Sequence, residues 1–169
     1  MSEKIATVGI VMGSPNDAET LRPAKEILDR FGISSEMRVL SAHRTPAEAV
    51  QWVSQAKSAG TKIIIAAAGL AAHLAGVCAA HTTLPVLGVP VAGGPLNGFD
   101  ALLSTVQMPR GTPVATFAVG SSGAVNAALF AVKMLALSDK ELETKLVEYQ
   151  QEQTAQVLAA DAQLQRSSQ

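Results

Sequence analysis

Residues Ile5 to Asp17 read IATVGIVMGSPND. The run Ile5 to Met12 is almost unbroken in apolar residues and of strand length. It lacks the polar alternation of a half-exposed strand, so it suits a parallel strand covered on both faces. Gly13 turns the chain. Ser14, Pro15 and Asp17 then form an S-P-x-D helix start, with Ser14 as the N-cap. The predicted helix runs to about Phe31, with Leu21, Ala24, Ile27, Leu28 and Phe31 on one face. Gly32 ends it. Strand, tight turn and capped amphipathic helix make one β–α unit, and the rest of the chain is read by whether the unit recurs.

It does recur. Ile33 to Leu40 is a second strand, followed by a helix over residues 46–59 whose start is marked by Thr45, Pro46 and Glu48, a T-x-x-E capping box with proline in the first turn. Gly60 closes it. Lys62 to Ala68 (KIIIAAA) is a third strand, with an Ala-rich helix from Ala71 to Ala80. Pro85 to Val91 is a fourth strand, and Pro90 within it implies an irregular end. A Gly/Pro loop, Ala92 to Gly98, leads to a short helix at Phe99 to Val106. After a loop at Met108 to Gly111 come a fifth strand, Pro113 to Val119, and a long helix of small residues, Ser122 to Leu137. Strands alternate with helices throughout, the pattern of an α/β, doubly wound parallel sheet with five strands in a flavodoxin-like order. Ser138 and Glu141 form a further capping box, and the helix they open runs to about Leu158. Its thin apolar stripe (Leu142, Leu146, Tyr149, Val157, Leu158) either reaches a neighbouring subunit or lies on its own domain. Gln163 to Gln169 are polar and expected to fray. The organisation is one domain over residues 1–169: a core at about 5–137 and a C-terminal helix at 138–160.

Composition narrows the function. The 169 residues suit one core, and with 48% hydrophobic but 4% aromatic residues that core must be aliphatic and Ala-rich. The net charge of −1 comes with no basic block, which argues against a nucleic-acid partner. A small anion remains compatible, since one arginine and a few N–H groups can hold it. Cys78 is the single cysteine, so no intramolecular disulfide or multi-cysteine metal site is possible; in its apolar run it reads as a buried, inert thiol. No signal-peptide pattern opens the sequence, and no apolar run is long enough to span a membrane. A cytoplasmic protein is the expectation.

Ligands of open α/β sheets bind outside the carboxyl ends of the strands, and three stretches fall there. Gly13 to Asp17 opens a helix, where N–H groups and the helix dipole favour an anion. It lacks the G-K-[ST] of a Walker loop and the glycines of a dinucleotide fingerprint. Asp17 could accept hydrogen bonds from ribose hydroxyls or simply cap the helix. Ser41-Ala42-His43-Arg44-Thr45-Pro46 places a proton-transfer group beside an anion-binding one. His43 titrates nearest neutrality and can both give and take a proton. Arg44 could hold a phosphate bidentately or pair with Glu48. Ala66 to Gly76 (AAAGLAAHLAG) has little side-chain bulk, so its backbone either approaches a ligand or packs tightly, and His73 within it shares the ambiguity. His81 reads as a histidine at a helix C-terminus. The three histidines lack metal-ligand spacing, and there is no G-x-S-x-G elbow. The acidic residues a receiver domain needs are missing at Met12-Gly13-Ser14 and Ala68-Gly69-Leu70.

VMGSPND (Val11 to Asp17), SAHRTP (Ser41 to Pro46), AAHLAG (Ala71 to Gly76), LPVLGVPV (Leu84 to Val91), LLSTVQMPRGTPVAT (Leu102 to Thr116) and GAVNAALFA (Gly123 to Ala131) are collinear over about residues 5–137. Together they resemble the class I N5-carboxyaminoimidazole ribonucleotide (N5-CAIR) mutases of purine biosynthesis, in the phosphoribosylaminoimidazole carboxylase catalytic-subunit family. The resemblance implies an isomerase that needs no cofactor or metal and shifts a carboxylate from N5 to ring carbon C4 of a ribonucleotide. It implies that Ser14, Asp17, Ser41 and Arg44 bind the ribose phosphate, beside Gly13 and Ala42. The loop Gly69 to Leu74, with Ala72 and His73, would close over the imidazole and carboxylate, and His43 would be the general acid/base. It further implies a homo-octamer with exchanged C-terminal helices, a contribution from the Met108-Pro109 loop of another subunit, and a functional link to the N5-CAIR synthetase. Two rivals stay open: the class II carboxylase, which uses free carbon dioxide, and a non-catalytic ribonucleotide-binding module. The chain departs from the family pattern at Leu70, where glycine is common, and at Ala67, Ala75, His81 and Ser121-Ser122. Of these, Leu70 bears on how the loop closes.

Overall fold

The computed structural model describes residues 6–167. Five parallel strands form one sheet in the order β2-β1-β3-β4-β5: β1 Val8–Met12, β2 Ser35–Val39, β3 Ile63–Gly69, β4 Val86–Val91 and β5 Ala115–Thr116. Six helices accompany them: α1 Ala18–Arg30, α2 Pro46–Ala56, α3 Leu74–Ala80, α4 Phe99–Val106, α5 Ser121–Ala136 and α6 Lys140–Ser167. The chain steps from β1 outward to β2, then returns past β1 to β3. Parallel crossovers are right-handed, so this reversal sends α1 to one face of the sheet and α2, α3 and α4 to the other. The flavodoxin-like doubly wound order expected from the sequence is therefore the fold.

The core follows from strand periodicity. Val8 pairs with Ile63 and Ile10 with Ile65, and every residue of β1 and β4 is buried. Val11, Ile64 and Ala66 point to the face where Ala49 and Val53 of α2 and Leu74, Ala75 and Cys78 of α3 pack. Helix and sheet approach closely because glycine takes the place of a side chain where they meet. A Cβ on Gly9 would stand 2.8 Å from the Trp52 ring of α2. Cys78 is buried as expected, and burial pushes its thiol up to about 12.

Several element ends differ from expectation, each for a local reason. The first strand is described from Val8; Ile5 lies outside the described residues. A 3-10 turn, Pro15–Asp17, precedes α1, and Ser14 caps that turn. α3 begins at Leu74 rather than Ala71, because Leu70 takes a left-handed conformation (φ +55°) and holds the next residues in a loop. β5 is much shorter than Pro113 to Val119. Pro90 of β4 has no N–H to offer, so the β4–β5 ladder stops and Gly120 N–H reaches the Pro90 carbonyl at 2.9 Å instead. The Thr45–Glu48 capping box does not form: Thr45 makes no side-chain cap, although Pro46 does take the first helical position. Ser138 is not the cap of the last helix either. Asp139 Oδ1 accepts the N–H of Glu141 (3.0 Å) and of Leu142 (3.1 Å). That helix continues through 163–167, where fraying was expected, to Ser167.

Two compact units are distinguished, one up to Ala131 and one from Val132. The first holds the whole sheet. In the second, Leu142 is the one buried residue of α6, while Val157, Leu158 and Leu164 are exposed. Among the described residues no helix is long and apolar enough to cross a membrane.

Candidate active site

The strand order reverses between β1 and β3, and their carboxyl ends flank the switch point where ligands of this architecture bind. A crevice of about 820 Å³ opens there, within the range of small-molecule sites. It is walled by the segments that leave β1 (Gly13, Ser14, Asp17), β2 (Ser41 to Arg44), β3 (Ala68 to Ala71, His73, Leu74) and β4 (Val91 to Gly93).

The β1 segment is internally bonded. Ser14 Oγ accepts the Asn16 N–H (3.3 Å), Asp17 Oδ2 accepts the Ser14 N–H (3.1 Å), and Asp17 N–H donates to the Ser14 carbonyl (3.1 Å). These amides are therefore already engaged, which leaves the Arg44 guanidinium as the fixed positive charge among the described residues that line the crevice. Burial raises the Asp17 pKa above the usual carboxylate value, while the Ser14 N–H and the Arg44 guanidinium pull it back down.

The β2 segment is a tight turn built on Ser41. Its Oγ accepts N–H bonds from His43 (3.3 Å) and Arg44 (3.2 Å). Thr45 Oγ1 accepts the Ser41 N–H (2.8 Å) and donates to the Ser41 carbonyl (3.3 Å), which is why it is unavailable to cap α2. The Arg44 guanidinium bonds the Gly13 carbonyl (3.2 Å), tying the β2 segment to the β1 segment, rather than lying along the helix toward Glu48.

The β3 segment supplies the partner for His43. His43 Nε2 and His73 Nδ1 are 2.8 Å apart, with the rings edge to face at 81°. Either ring can donate, so the pair can hold one proton between two nitrogens. Around it are a guanidinium, a carboxylate, two serine hydroxyls and the apolar side chains of Leu70, Leu74 and Val91. Such a lining can hold an anion, bond hydroxyl groups, seat a small ring and move a proton.

Of the residues singled out in the sequence, Gly13, Ser14, Asp17, Ser41, Ala42, His43, Arg44, Gly69, His73 and Leu74 all line the crevice. Ala72 does not; it is buried at 1% exposure. His81 stands apart at the end of α3, its Nδ1 bonded to the Val77 carbonyl (2.9 Å). Sequence reasoning named Asn16 only as part of the Gly13 to Asp17 stretch, and it missed Thr20 and the β4 segment Val91 to Gly93. The rule that every strand end faces the crevice, applied to the fourth strand as well, would have found the latter.

The chain matches the AIR carboxylase family model over residues 7–156. It is 51% identical over 152 residues to the N5-carboxyaminoimidazole ribonucleotide mutase of Vibrio vulnificus, covering 90% of this chain and 94% of the relative. It is 50% identical over 157 residues to the enzyme of the same name from Bacillus subtilis, covering 93% and 97%. The crystal structure of Treponema denticola PurE superposes with a TM-score of 0.84 at 26% identity, covering 93% of this chain and 97% of that one. With its strand order, its crevice and these relatives in agreement, the chain belongs to the AIR carboxylase family.

Proposed function

We propose that this protein is an N5-CAIR mutase of de novo purine biosynthesis, with His43 as its general acid/base. The observation that carries the reading is the His43–His73 pair, 2.8 Å apart in a crevice that also presents Arg44, Asp17, Ser14 and Ser41. Arg44 supplies the fixed positive charge for a ribose phosphate, and Ser14, Ser41 and Asp17 supply hydrogen bonds to phosphate and ribose. The Gly69 to Leu74 loop then lies over the imidazole.

The chemistry needs one proton moved twice. Protonated His43 delivers its proton to N5 of the substrate as the N5–carboxyl carbon bond breaks, leaving aminoimidazole ribonucleotide and carbon dioxide. The electron pair at C4 of the ring attacks the carbon dioxide, forming the new carbon–carbon bond. Neutral His43 then takes the C4 proton and is restored, so no proton is gained or lost over the cycle. His73 Nδ1, bonded to His43 Nε2, orients the ring and selects its tautomer. The apolar wall keeps water from the carbon dioxide.

The second unit supports a homo-oligomer. Val157, Leu158 and Leu164 of α6 are 62% exposed or more, apolar area that another copy would cover. We read this as the octamer of the resemblance, in a cytoplasmic enzyme functionally linked to the N5-CAIR synthetase. Light scattering tests the assembly, and a monomer would remove it.

For the activity, fresh N5-CAIR is mixed with wild type and with His43→Asn at low bicarbonate while ultraviolet absorbance follows the product. His43→Asn should lose about 10²- to 10⁴-fold in rate, the usual contribution of a positioned acid/base, yet still bind aminoimidazole ribonucleotide. Conversion only from aminoimidazole ribonucleotide at high carbon dioxide would mean the class II carboxylase. An unimpaired His43→Asn would remove His43 from its role.

A further inference from the structure

Leu70 is a non-glycine residue in the left-handed region, at φ +55°. For a leucine this backbone is strained, because Cβ crowds the following carbonyl. The side chain gains little in return from core burial, since it is 53% exposed. Stability therefore does not account for a leucine here; glycine would take the same backbone without strain. Strain of this kind, held at a site, points to a role in that site.

The location shows the role. Leu70 lines the crevice in the loop that carries His73. Its Cδ2 atom comes so near Gly94 of the β4–α4 loop that a Cβ on residue 94 would stand 2.6 Å from it. Gly94 is itself left-handed, at φ +67°, and only its missing side chain leaves the Leu70 methyl its place. The neighbouring Gly93 also lines the crevice. Leucine on one loop and glycine on the other thus fit as a pair, and the contact bridges two loops that are otherwise separate strand-end connections.

We propose that Leu70 is a positioning residue: its side chain spans from the β3–α3 loop to Gly94 and holds the two loops together over the His43–His73 pair, so that carbon dioxide released in the crevice is retained until C4 attacks it. This rests on the mutase reading above. No bond to Leu70 forms or breaks. Its effect is to keep the apolar wall shut between N–C cleavage and C–C formation, when the intermediate pair can still escape.

The test measures partition. Fresh N5-CAIR is converted by wild type, Leu70→Ala, Leu70→Gly, Leu70→Met and Gly94→Ala. Free aminoimidazole ribonucleotide, assayed by diazotisation, is divided by carboxylated product. Leu70→Ala and Leu70→Gly should both raise this ratio several-fold, although only Leu70→Gly relieves the strained backbone. Leu70→Met, which spans the same gap, should bring it back toward the wild-type value. Gly94→Ala should leak like Leu70→Ala, because its methyl displaces the leucine. A merely structural role for Leu70 would change the amount of folded enzyme without changing the ratio, and an unchanged ratio in properly folded Leu70→Ala and Leu70→Gly would overturn the proposal. Wild type that converts nothing would bring down the mutase reading and this proposal with it, whereas wild-type conversion with unaltered variants would bring down this proposal alone.

Discussion

The two loops that carry the histidines are built in opposite ways. The Ser41 to Thr45 turn after β2 is locked by hydrogen bonds: Ser41 Oγ holds the N–H groups of His43 and Arg44, and Thr45 Oγ1 bonds both backbone groups of Ser41. The Gly69 to His73 loop after β3 has almost no polar side chain. It is shaped by a left-handed Leu70 and by that residue's contact with Gly94. Short polar side chains fix a turn by directional bonds made within a few residues. Apolar contact fixes a loop only through whatever stands across from it. The comparison teaches that the turn bearing His43 is fixed by several bonds among its own neighbours, whereas the loop bearing His73, with one short local bond from the His73 N–H to the Ala71 carbonyl (2.8 Å), also leans on a residue far along the chain.

Three substitutions would break or sharpen this contrast. The largest effect is expected for Thr45→Val, which keeps the shape but leaves the part-buried Ser41 N–H without its acceptor. Unfolding in urea should show a loss of about 1–2 kcal/mol, the cost of an orphaned donor, and unchanged stability would mean that the polar lock is not what holds this turn. Ser41→Ala removes the acceptor for two amides that can turn to water instead. About 1 kcal/mol should be lost, with mutase activity falling further than stability because His43 and Arg44 lose their orientation. An activity that follows only the folded fraction would contradict the assigned role of the turn.

The smallest effect concerns Asp17 and pH. Its folded-state pKa lies above the ordinary value because burial disfavours the charged form. A raised folded pKa means that this group favours folding below the unfolded value, and that the contribution is lost as pH rises through the folded one. Asp17→Asn cannot titrate and keeps an oxygen for the Ser14 N–H. The difference in melting temperature between variant and wild type should therefore move in favour of the variant as pH is raised through the carboxylate range. A difference that stays flat with pH would show that Asp17 titrates as it does in the unfolded chain.

Much of the fold was legible in the residues. The apolar run of β1, the capped turn at Ser14 and the glycines after α1 and α2 are local signals, and they led to parallel strands alternating with helices. Where expectation failed, a nearby group had been claimed by something closer. Thr45 was spent on Ser41, Asp139 took the capping role expected of Ser138, and Pro90 withheld the N–H that a longer β5 needed. His43 and Arg44 stood out in the site for the same reason that the Ser41 turn did, since strand, turn and helix start are contiguous. His73 stayed ambiguous from its neighbourhood alone, Leu70 was marked only as a departure from the family pattern, and Val91 to Gly93 were read as a strand end and its connection.

From its residues alone, then, this chain fixes its strand–helix alternation, its aliphatic core, the capped turn at Ser14 and the presence of a histidine and an arginine at a strand end. Those features depend on side-chain periodicity and on bonds between residues a few positions apart. Only the folded sheet brings His73 to 2.8 Å from His43, thirty positions away, and sets Leu70 against Gly94. The histidines meet because the chain reverses its winding between β1 and β3, and Leu70 meets Gly94 because β3 and β4 pair side by side; that strand order is a property of how whole helices pack on the sheet.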